Sequence, residues 1–592
     1  MIRIPLRPLA RILDARAQGV NPDRIERENL RLRREQLRDQ SRRMSEWRIL
    51  FLAVLFFAGY AAIGARMALL AATPMAEVEP YAGEGISGDR ADVLDRNGRI
   101  LATNLVTHSL YAELRYMIDG RRAARELARI FPDLDEERLA ARLTDPNRRF
   151  DWIRARLSPE QAQAAHDIGE PGLMLGPRDM RLYPNGTLAA HVLGGSQYGA
   201  QGVTAAEITG VAGIELAQNA RLADPDLAAV PLTLTLDLGV QAIVEEVLEG
   251  GITMLRANGG SVIVMDAITG EVVAMASAPT FDPNNRPPPP RNSLEQAESP
   301  IFNRAAQGLY ELGSVMKAFA VAQALDLGLV SPDTMVDIRG PLRFGRFAIT
   351  DFHNMGASRS VADIFIESSN IGTARLAQRI GAERQRAFLA SLGFLEAIPF
   401  DLPEGRSARP QFDPRWSELA MMTISYGHGL SMTPLHLAAG YAALVNGGTR
   451  VHPTLIRRAE VPRGERVISE ETSRIMRSLM RSVVTQGTAS MGEVAGYLIG
   501  GKTGTADKPN PYGGYYEDRT IATFAGAFPM NDPRYVFVVT MDEPQIEAAG
   551  EQRRTAGWTV VPVAAEIVRR IAPVLGLRPQ DTAAIDATLR LR

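Results

Sequence analysis

The chain of 592 residues is too long for one hydrophobic core, so two or more domains are expected. Its content of 45% hydrophobic and 23% charged residues is typical of folded protein rather than of disorder. The net charge of −2 argues against a nucleic-acid-binding protein, and the absence of cysteine excludes disulfides, thiol catalysis and thiolate metal sites.

Near the N-terminus, residues 22–47 are predicted to form a charged helix, with Leu30, Leu37 and Met44 at heptad spacing and Glu/Arg pairs on its flanks. Such a helix could bind a partner helix in the cytoplasm. It could also be a solvated helix that leads into a membrane-spanning segment, and we favour this second interpretation.

An uncharged apolar run spans positions 49–65 and is followed, after Arg66, by the apolar segment 67–72. The run is at the short end for a bilayer span, and Arg66 can reach the interface. A cleaved signal peptide is the rival interpretation, but its apolar core normally follows a short basic start, whereas this run begins only at position 49. We therefore expect an uncleaved anchor.

The charges around this run predict its orientation. Positions 1–48 carry 13 arginines against 7 acidic side chains, whereas positions 73–100 carry 3 arginines against 6 acidic side chains. By the positive-inside rule, the N-terminus is expected in the cytoplasm and everything after about residue 73 on the other side. No second long apolar run follows in the sequence, which predicts a single-pass protein.

Residues 73–230 are predicted to contain short strands, glycine turns and two helical segments near 121–142 and 158–168. Nothing in them resembles an active site. From residue 231 the secondary-structure signals are clearer. A strand with alternating apolar and polar residues is predicted to end at Asp237, which can cap a helix running to about Leu255.

The rest of the chain predicts a sheet assembled from distant segments. A hairpin is expected over residues 261–277, and helices dominate from 314 to about 486. Further strands are expected near 497–505, 520–528 and 535–541, and a closing helix near 558–572. Two early strands, a helical insertion and three late strands suggest one antiparallel sheet packed with helices, which is an α+β fold.

Ser314 and Lys317 form an S-x-x-K pattern at the predicted start of a helix, within 309-LYELGSVMKAFAVAQAL-325. Only Lys317, Lys502 and Lys508 are lysine, while the other 63 of the 66 basic residues are arginine. Lys317 is expected on the same helical face as Ser314, within hydrogen-bonding distance. A buried, neutral lysine can take the hydroxyl proton, as a guanidinium cannot. Alone the pattern is weak, because a helix cap produces it often.

Two further clusters strengthen this hypothesis. Ser368 and Asn370 form S-x-N near the expected end of a helix, and Lys502-Thr503-Gly504 lies on a predicted strand. Glycine lets a substrate backbone approach such a strand closely, while threonine hydroxyls and an ammonium can bind a carboxylate. Together, in this chain order, the three clusters are a strong signal for serine acyl transfer.

Other patterns are weaker. Residues 496–503 match the G-x-x-x-x-G-K-T phosphate loop of NTPases, but Gly504, Pro509 and Pro511 follow where that loop must open a helix. There is no G-x-S-x-G or H-E-x-x-H, and the seven histidines show no metal-ligand spacing. Glu311 is interpreted as an acid near a helix start, without a catalytic role.

With these clusters placed, the chain resembles the class B penicillin-binding proteins, and among them the cell-division transpeptidases of the FtsI type, over roughly residues 80–575. Many members have proline and threonine where this chain has Leu312 and Val315, and neither side chain is expected to do chemistry. The matching segments are 90-RADVLDRNGRILATN-104, 181-RLYPNGTLAAHVLGG-195, 213-GIE-215, 233-TLTLDLGVQ-241, 264-VMDAITGEVVAMASAPTFDPN-284 and 303-NRA-305.

The resemblance implies a particular domain order. It comprises a cytoplasmic Arg-rich segment (1–48), a transmembrane anchor (49–72), an elongated pedestal domain of the dimerisation type (73–230), a transpeptidase domain with a five-stranded antiparallel sheet (231–575) and a C-terminal tail (576–592). No glycosyltransferase-like domain precedes the pedestal, which separates the chain from the bifunctional class A enzymes.

The resemblance also implies peptidoglycan D,D-transpeptidation. Ser314 would attack the carbonyl between the two terminal D-alanines of a stem peptide, with Lys317 as general base. Ser368 would relay the proton to the leaving amine, with Lys502 holding that relay in its electrostatic field. Asn370 would bind the backbone amide of the donor peptide and orient Lys317.

Thr503, Gly504 and Thr505 would form the substrate-binding strand, the two threonines binding the terminal carboxylate. The backbone N–H groups of Ser314 and Thr505 would form the oxyanion hole. A neighbouring stem-peptide amine would resolve the acyl-enzyme, β-lactams would acylate Ser314 and remain, and no metal or organic cofactor is called for.

Residues 425–448 and 555–563 look more like division enzymes than their elongation relatives. By that resemblance the protein would lie in the inner membrane with a periplasmic catalytic domain. Its partners would include the septal glycosyltransferase FtsW, contacting the anchor and pedestal, and other division proteins, but no nucleic acid.

The alternatives left open are an elongation-type transpeptidase, a D,D-carboxypeptidase or β-lactamase-like hydrolase, and a non-catalytic penicillin-binding sensor or scaffold. The anchor, the pedestal and the lack of an obvious deacylating glutamate weigh against the hydrolase. The residues of all three motifs are present, which argues against a sensor or scaffold that has lost catalytic activity.

Overall fold

The computed structural model describes residues 9–21, 23–72, 90–201, 206–345, 347–458, 464–510, 513–582 and 585–586. The chain divides into two compact units between Gly85 and Ile86. The predicted start of the pedestal at residue 73 and the last residues of the predicted tail lie outside the described residues.

The N-terminal unit consists of α1 (Leu9–Ala17) and α2 (Asp23–Ala72). The predicted charged helix and the predicted anchor are therefore one continuous helix of 50 residues. Its segment Trp47–Met67 is long and apolar enough to cross a membrane and is the one such segment in the described part of the chain. Phe51, Phe56 and Phe57 of this segment are exposed within the structure, as a lipid-facing surface requires.

The first part of the second unit is the pedestal region. Its elements are β1 (Val93–Leu94), β2 (Ile100–Glu113), α3 (Gly120–Ile130), α4 (Glu136–Leu143), β3 (Phe150–Leu157), α5 (Pro159–Asp167), β4 (Leu173–Leu182), α6 (Ala190–Leu193), β5 (Gly195–Gln201), β6 (Ala206–Ala212), α7 (Gly213–Ala217) and α8 (Asn219–Leu222). The long strand β2 pairs antiparallel with β3 and β4. Leu110, Leu127, Leu139 and their neighbours form a small separate core under the helices.

A buried ion network explains why the pedestal motifs contain their charged residues. Glu215 lies 2.7 Å from Arg90 and 2.7 Å from Arg181, and all three side chains are almost fully buried. Because a buried carboxylate is costly unless its charge is compensated, removal of either arginine would leave Glu215 poorly paired. The network joins the beginning, middle and end of the described pedestal.

The remaining elements form the C-terminal region. They are β7 (Leu232–Thr233), α9 (Leu238–Leu255), β8 (Gly259–Asp266), β9 (Val272–Ala278), α10 (Ser293–Glu298), β10 (Tyr310–Glu311), α11 (Lys317–Asp326), β11 (Met335–Asp337), β12 (Leu342–Phe344), β13 (Phe347–Ile349), β14 (Ser358–Ser360), α12 (Val361–Ile366), α13 (Asn370–Ile380), α14 (Ala382–Ser391), α15 (Pro403–Ser407), β15 (Gln411–Phe412), α16 (Glu418–Ser425), β16 (Leu430–Met432), α17 (Pro434–Val445), α18 (Glu470–Gln486), β17 (Gly500–Pro509), β18 (Tyr515–Phe528), β19 (Tyr535–Asp542), β20 (Ile546–Ala548), β21 (Glu551–Arg553) and α19 (Val560–Val574).

The central sheet has the strand order β17-β18-β19-β8-β9, and every neighbouring pair is antiparallel. The hairpin β8–β9 thus joins three strands from the far end of the chain, which confirms the predicted closure and the α+β fold. Strands β8 and β9 are buried at every residue, because helices cover both faces of the sheet. Helix α17 is itself buried along its whole length.

Candidate active site

Ser314 lies in a 3-10 turn, Gly313–Met316, which leads directly into α11 at Lys317. The α-helix was expected to begin immediately after Ser314, so it starts two residues later than predicted. Gly313 has φ +63°, and a Cβ placed on it would lie 2.7 Å from the carbonyl oxygen of Thr505. A side chain is therefore excluded where the turn presses against β17, and this contact brings Ser314 beside that strand.

Lys317 is fully buried, and the nitrogen of its amine lies 2.5 Å from Ser368 O, 2.7 Å from Asn370 Oδ1 and 3.0 Å from Ser368 Oγ. A neutral amine can donate its two N–H groups to the carbonyl and amide oxygens, and it can then accept from the Ser368 hydroxyl. The expected hydrogen bond to Ser314 is not formed here, and the amine instead ties the first cluster to the second. Burial, and then the nearby charge of Lys502, hold the pKa of Lys317 well below its usual value. The lowered pKa favours the neutral amine, the form that can accept a proton.

Ser368 lies in the short turn that joins α12 to α13, and Asn370 is the first residue of α13. Ser368 has φ +67°, a left-handed conformation that costs free energy in any residue other than glycine. This conformation directs both the carbonyl oxygen and the hydroxyl of Ser368 to the amine of Lys317. The two clusters therefore form one hydrogen-bonded unit.

Asp351 holds this turn in place and was not singled out from the sequence. Its carboxylate accepts from Asn370 N at 2.5 Å, Ile371 N at 3.0 Å and Ser369 Oγ at 2.8 Å. The carboxylate also caps the N-terminus of α13, where negative charge is favoured. In the sequence this residue is an isolated loop acid, and no local pattern connects it with a turn beyond the next helix.

The third cluster lies on β17, as predicted. Lys502 is fully buried, and its amine donates to the carbonyl oxygen of Thr503 at 3.3 Å. Burial lowers the pKa of Lys502 to about 7. The NTPase hypothesis is wrong, since Lys502 and Thr503 pair in a strand with Ala525 and Phe524 and open no helix.

The two threonines of this strand face neighbouring segments. Thr503 Oγ1 lies 2.6 Å from Thr488 Oγ1, so one of these hydroxyls donates to the other. Thr505 Oγ1 accepts from Ala556 N at 3.0 Å. Gly504 faces the serine turn, where a Cβ would come within 2.2 Å of Leu312 O.

A cavity of about 590 Å³ opens at this junction and brings the predicted clusters together. Ser314, Ser368, Asn370, Thr503 and Thr505 all line it, whereas the two lysines lie behind this surface, fully buried. The cavity is completed by Phe352, His353, Glu367, His428, Gly487, Thr488, Ser490, Met491, Thr555, Ala556, Gly557 and Trp558. Thr488 and His428 were not singled out as site residues, because neither belongs to the three clusters, although His428 lies within the segment 425–448 noted for its resemblance to division enzymes.

The geometry supports acyl transfer by an activated serine. Ser314 is exposed to the cavity, a low-pKa lysine lies one turn away, and a second lysine sits behind a strand of hydroxyls. Among the described residues, no three histidine or acidic side chains are grouped as metal ligands.

Comparisons with known families agree with this geometry. A model of the penicillin-binding protein transpeptidase domain matches residues 260–568, and a model of the penicillin-binding protein dimerisation domain matches residues 85–224. The first match covers the five-stranded sheet and all three clusters. The second covers the described pedestal.

Several curated proteins are similar along most of the chain. The probable peptidoglycan D,D-transpeptidase FtsI of Caulobacter vibrioides is 33% identical over 562 residues, which is 92% of this chain and 91% of that protein. The peptidoglycan D,D-transpeptidase FtsI of Escherichia coli is 29% identical over 482 residues, 78% of this chain and 80% of that protein. Among solved structures, penicillin-binding protein 3 of Mycobacterium tuberculosis complexed with aztreonam matches with a TM-score of 0.63 and 27% identity. The match covers 83% of this chain and 97% of that one.

Proposed function

Because the chain belongs to the class B penicillin-binding proteins, we propose that it is a peptidoglycan D,D-transpeptidase of the cell-division type, with Ser314 as its nucleophile. One observation carries the assignment of the site. The buried amine of Lys317 joins the serine turn to the Ser368–Asn370 turn, at the wall of a cavity that also exposes Thr503 and Thr505.

In the first half-reaction, Ser314 Oγ attacks the carbonyl carbon between the two terminal D-alanines. Lys317 takes the hydroxyl proton, and its hydrogen bond to Ser368 Oγ provides a route for that proton to the departing amine. A Ser314–acyl ester forms, and the terminal D-alanine leaves. The backbone N–H groups of Ser314 and Thr505 stabilise the oxyanion, each worth about 3–4 kcal/mol in comparable sites.

Substrate binding is assigned to the strand β17. Thr503 and Thr505 receive the terminal carboxylate, Lys502 supplies positive charge behind them, and Gly504 permits close backbone approach. Asn370 keeps Lys317 oriented and binds the donor peptide amide. In the second half-reaction, an amine of a neighbouring stem peptide attacks the acyl carbonyl, and Ser314 recovers its proton.

The placement of the chain in the cell follows the same proposal. Residues 1–48 would be cytoplasmic, 49–72 the inner-membrane anchor, 73–230 a periplasmic pedestal, 231–575 the transpeptidase domain and 576–592 a tail. Support comes from the apolar helix of suitable length near the N-terminus and from the charge asymmetry around it. FtsW, a septal glycosyltransferase, and other division proteins are the partners that we propose for the anchor and pedestal.

Cross-linking of glycan strands tests this function. The purified full chain in detergent micelles, given uncross-linked strands with pentapeptide stems, is expected to form peptide cross-links and release D-alanine. Its Ser314→Ala variant is expected to form none. Release of D-alanine without cross-links would instead identify a carboxypeptidase, and no release from a folded sample that also fails to bind benzylpenicillin would contradict the proposal.

The charge of Lys502 predicts a pH dependence. Burial lowers the pKa of Lys502 to about 7, so in the free enzyme its positive charge is present below this pH and lost above it. The second-order rate constant for acylation by the benzylpenicillin anion is therefore expected to fall as pH rises through about 7. Measurement between about pH 5.5 and 9 checks this. Lys502→Arg is expected to remove the decline, since guanidinium keeps its charge, and the comparison separates Lys502 from deprotonation of Lys317, which raises the rate with pH. A ratio of the unaltered rate to the Lys502→Arg rate that stays flat across about pH 7–9 would contradict the prediction.

A further inference from the structure

His428 lies on the side of the cavity formed by the chain around β10 and β16. The backbone N–H of Gly313, next to the nucleophile, donates to Gly427 O at 3.2 Å, which fixes the loop of His428 beside Ser314. The ring of His428 packs against those of Tyr426 and Tyr515, at centroid distances of 5.5 Å and 5.8 Å. His428 is thus held firmly at the cavity wall.

A buried carboxylate stands behind this ring. Glu311 is 8% exposed, and its Oε1 accepts from Gly429 N at 2.8 Å and from the hydroxyl of Tyr515 at 3.1 Å. Among the described residues, its Oε2 has no hydrogen-bond partner, and neither has the buried Nδ1 of His428. Glu311 lies near a helix start, as interpreted from the sequence, but at the end of strand β10 rather than in a turn, and its support of the loop of His428 was not predicted.

The orientation of the imidazole follows from these contacts. His428 lines the cavity while its Nδ1 is buried, which leaves Nε2 as the ring nitrogen available to a ligand. Burial lowers the pKa of His428, so the ring is neutral at pH 7. The negative charge of Glu311 favours the tautomer with its proton on Nδ1, which leaves the lone pair of Nε2 free to accept a hydrogen bond.

Two acids are the stronger charges near His428. Lys317 and Lys502 lie behind the Ser368 and Thr503 walls, whereas the charges of Glu311 and Asp507 act on His428 more strongly than the opposing charge of Lys317 does. Elsewhere in the cavity lining, the acidic Glu367 has Arg359 at 3.8 Å as a counter-charge, and His353 Nε2 lies 3.9 Å from the same carboxylate. The His428 side therefore suits a cation and is unfavourable for the carboxylate that binds at β17.

We propose that His428, with Glu311 and Asp507 supplying negative potential, forms a subsite for an ammonium group of a stem peptide, which donates a hydrogen bond to His428 Nε2. This inference rests on the proposed transpeptidase function and names which part of the substrate this wall recognises. Peptide cross-linking by aminolysis requires stem peptides that carry an amine, and donor and acceptor are strands of the same kind. The ammonium is therefore either the acceptor amine or the side-chain amine of the donor itself.

The test compares the full chain in detergent micelles with its His428→Phe and Asp507→Asn variants. Phenylalanine keeps an aromatic ring between Tyr426 and Tyr515 but has no nitrogen. Asp507 is exposed, so Asp507→Asn is expected to fold and to test the subsite even if His428→Phe does not fold. His353→Phe, elsewhere in the cavity lining, is the matched control. The probes are benzylpenicillin, a pentapeptide donor with a free or an acetylated side-chain amine, and a diamino tripeptide acceptor.

Acylation by benzylpenicillin, which carries no amine, is expected to stay within twofold in all variants. If the donor amine binds, acylation by the amine-bearing donor falls about 10-fold in His428→Phe relative to the acetylated donor. If the acceptor amine binds, the ratio of aminolysis to hydrolysis of the acyl-enzyme falls about 10-fold instead. In Asp507→Asn, whichever of these two quantities falls in His428→Phe is expected to fall as well, by a smaller factor.

The inference is overturned if neither quantity changes by more than twofold, or if benzylpenicillin acylation falls in parallel, which would identify a structural role. A change of equal size in His353→Phe would also overturn it. Failure of the proposed function itself has a different signature, because the unaltered protein would then form no adduct on Ser314 at all.

Discussion

Replacing Lys317 with methionine is expected to slow acylation by benzylpenicillin about 1,000-fold, the scale of a lost general base. Lys317 is the buried amine that hydrogen-bonds Ser368 and Asn370, and burial lowers its pKa, which favours the neutral form that can accept the proton of Ser314. Methionine fills a similar volume without a nitrogen. Because burial of an amine is itself costly, we expect the variant to stay folded. Intact mass followed over time gives the rate.

Lys508→Met is the matched control, since it removes another of the chain's three lysines. Lys508 lies on the same strand as Lys502 but pairs with Asp542 and Glu543, each at 2.7 Å, and does not line the cavity. Its acylation rate is expected to stay within threefold of the unaltered protein. Acylation of Lys317→Met within tenfold of the unaltered rate would show that Lys317 is not the base.

Substitution of Gly504 by alanine is expected to lower both acylation and stability. The new Cβ would lie 2.2 Å from Leu312 O and 3.1 Å from Val315 N, which are backbone atoms of the serine turn. Either β17 or the turn must move, and the N–H groups of Ser314 and Thr505 then no longer point at one oxyanion. Loss of one such donor costs about 100- to 1,000-fold in rate. We expect a loss of this size and a melting temperature several degrees lower, measured by mass spectrometry and calorimetry.

Gly250→Ala controls for the general effect of adding a methyl group. Gly250 lies within helix α9 and has no heavy atom within 4 Å of the position its Cβ would take. Alanine there is expected to raise the stability slightly, by about 0.4–1 kcal/mol, and to leave acylation unchanged. If Gly504→Ala acylates at the unaltered rate, the close approach of strand and turn is not needed for catalysis.

The sequence was most informative where a residue type is rare or where the pattern of hydrophobic residues along a segment is strong. The scarcity of lysine identified Lys317 and Lys502, and both prove to be fully buried in the walls of one cavity. The β-rich runs of β8, β18 and β19 predicted a sheet closed by distant segments, because hydrophobic strands must pair with one another. The helix capped by Asp237 was predicted within a residue, since its side chain accepts from Gly239 N and Val240 N.

Long-range contacts between unrelated segments could not be predicted in the same way. Asp351 supports the Ser368–Asn370 turn across a helix, and Glu311 supports the loop of His428 from a distant part of the chain. Neither contact leaves a local pattern, because a carboxylate can accept from any nearby N–H. The prediction of a hydrogen bond between Ser314 and Lys317 was wrong for a related reason. Ser314 lies in a 3-10 turn rather than in an α-helix, and the amine of Lys317 bonds to the carbonyl oxygen of Ser368, a residue of another segment.

The most direct test of the account is the intact mass of the full chain during incubation with benzylpenicillin, followed over hours, with the adduct mapped by peptide digestion. A single long-lived penicilloyl group on Ser314, absent from Ser314→Ala, is the predicted result. A folded sample that forms no adduct, or one that carries it on another residue, would contradict the assignment of Ser314 as the nucleophile. An adduct that clears within seconds would contradict the transpeptidase in favour of a hydrolase.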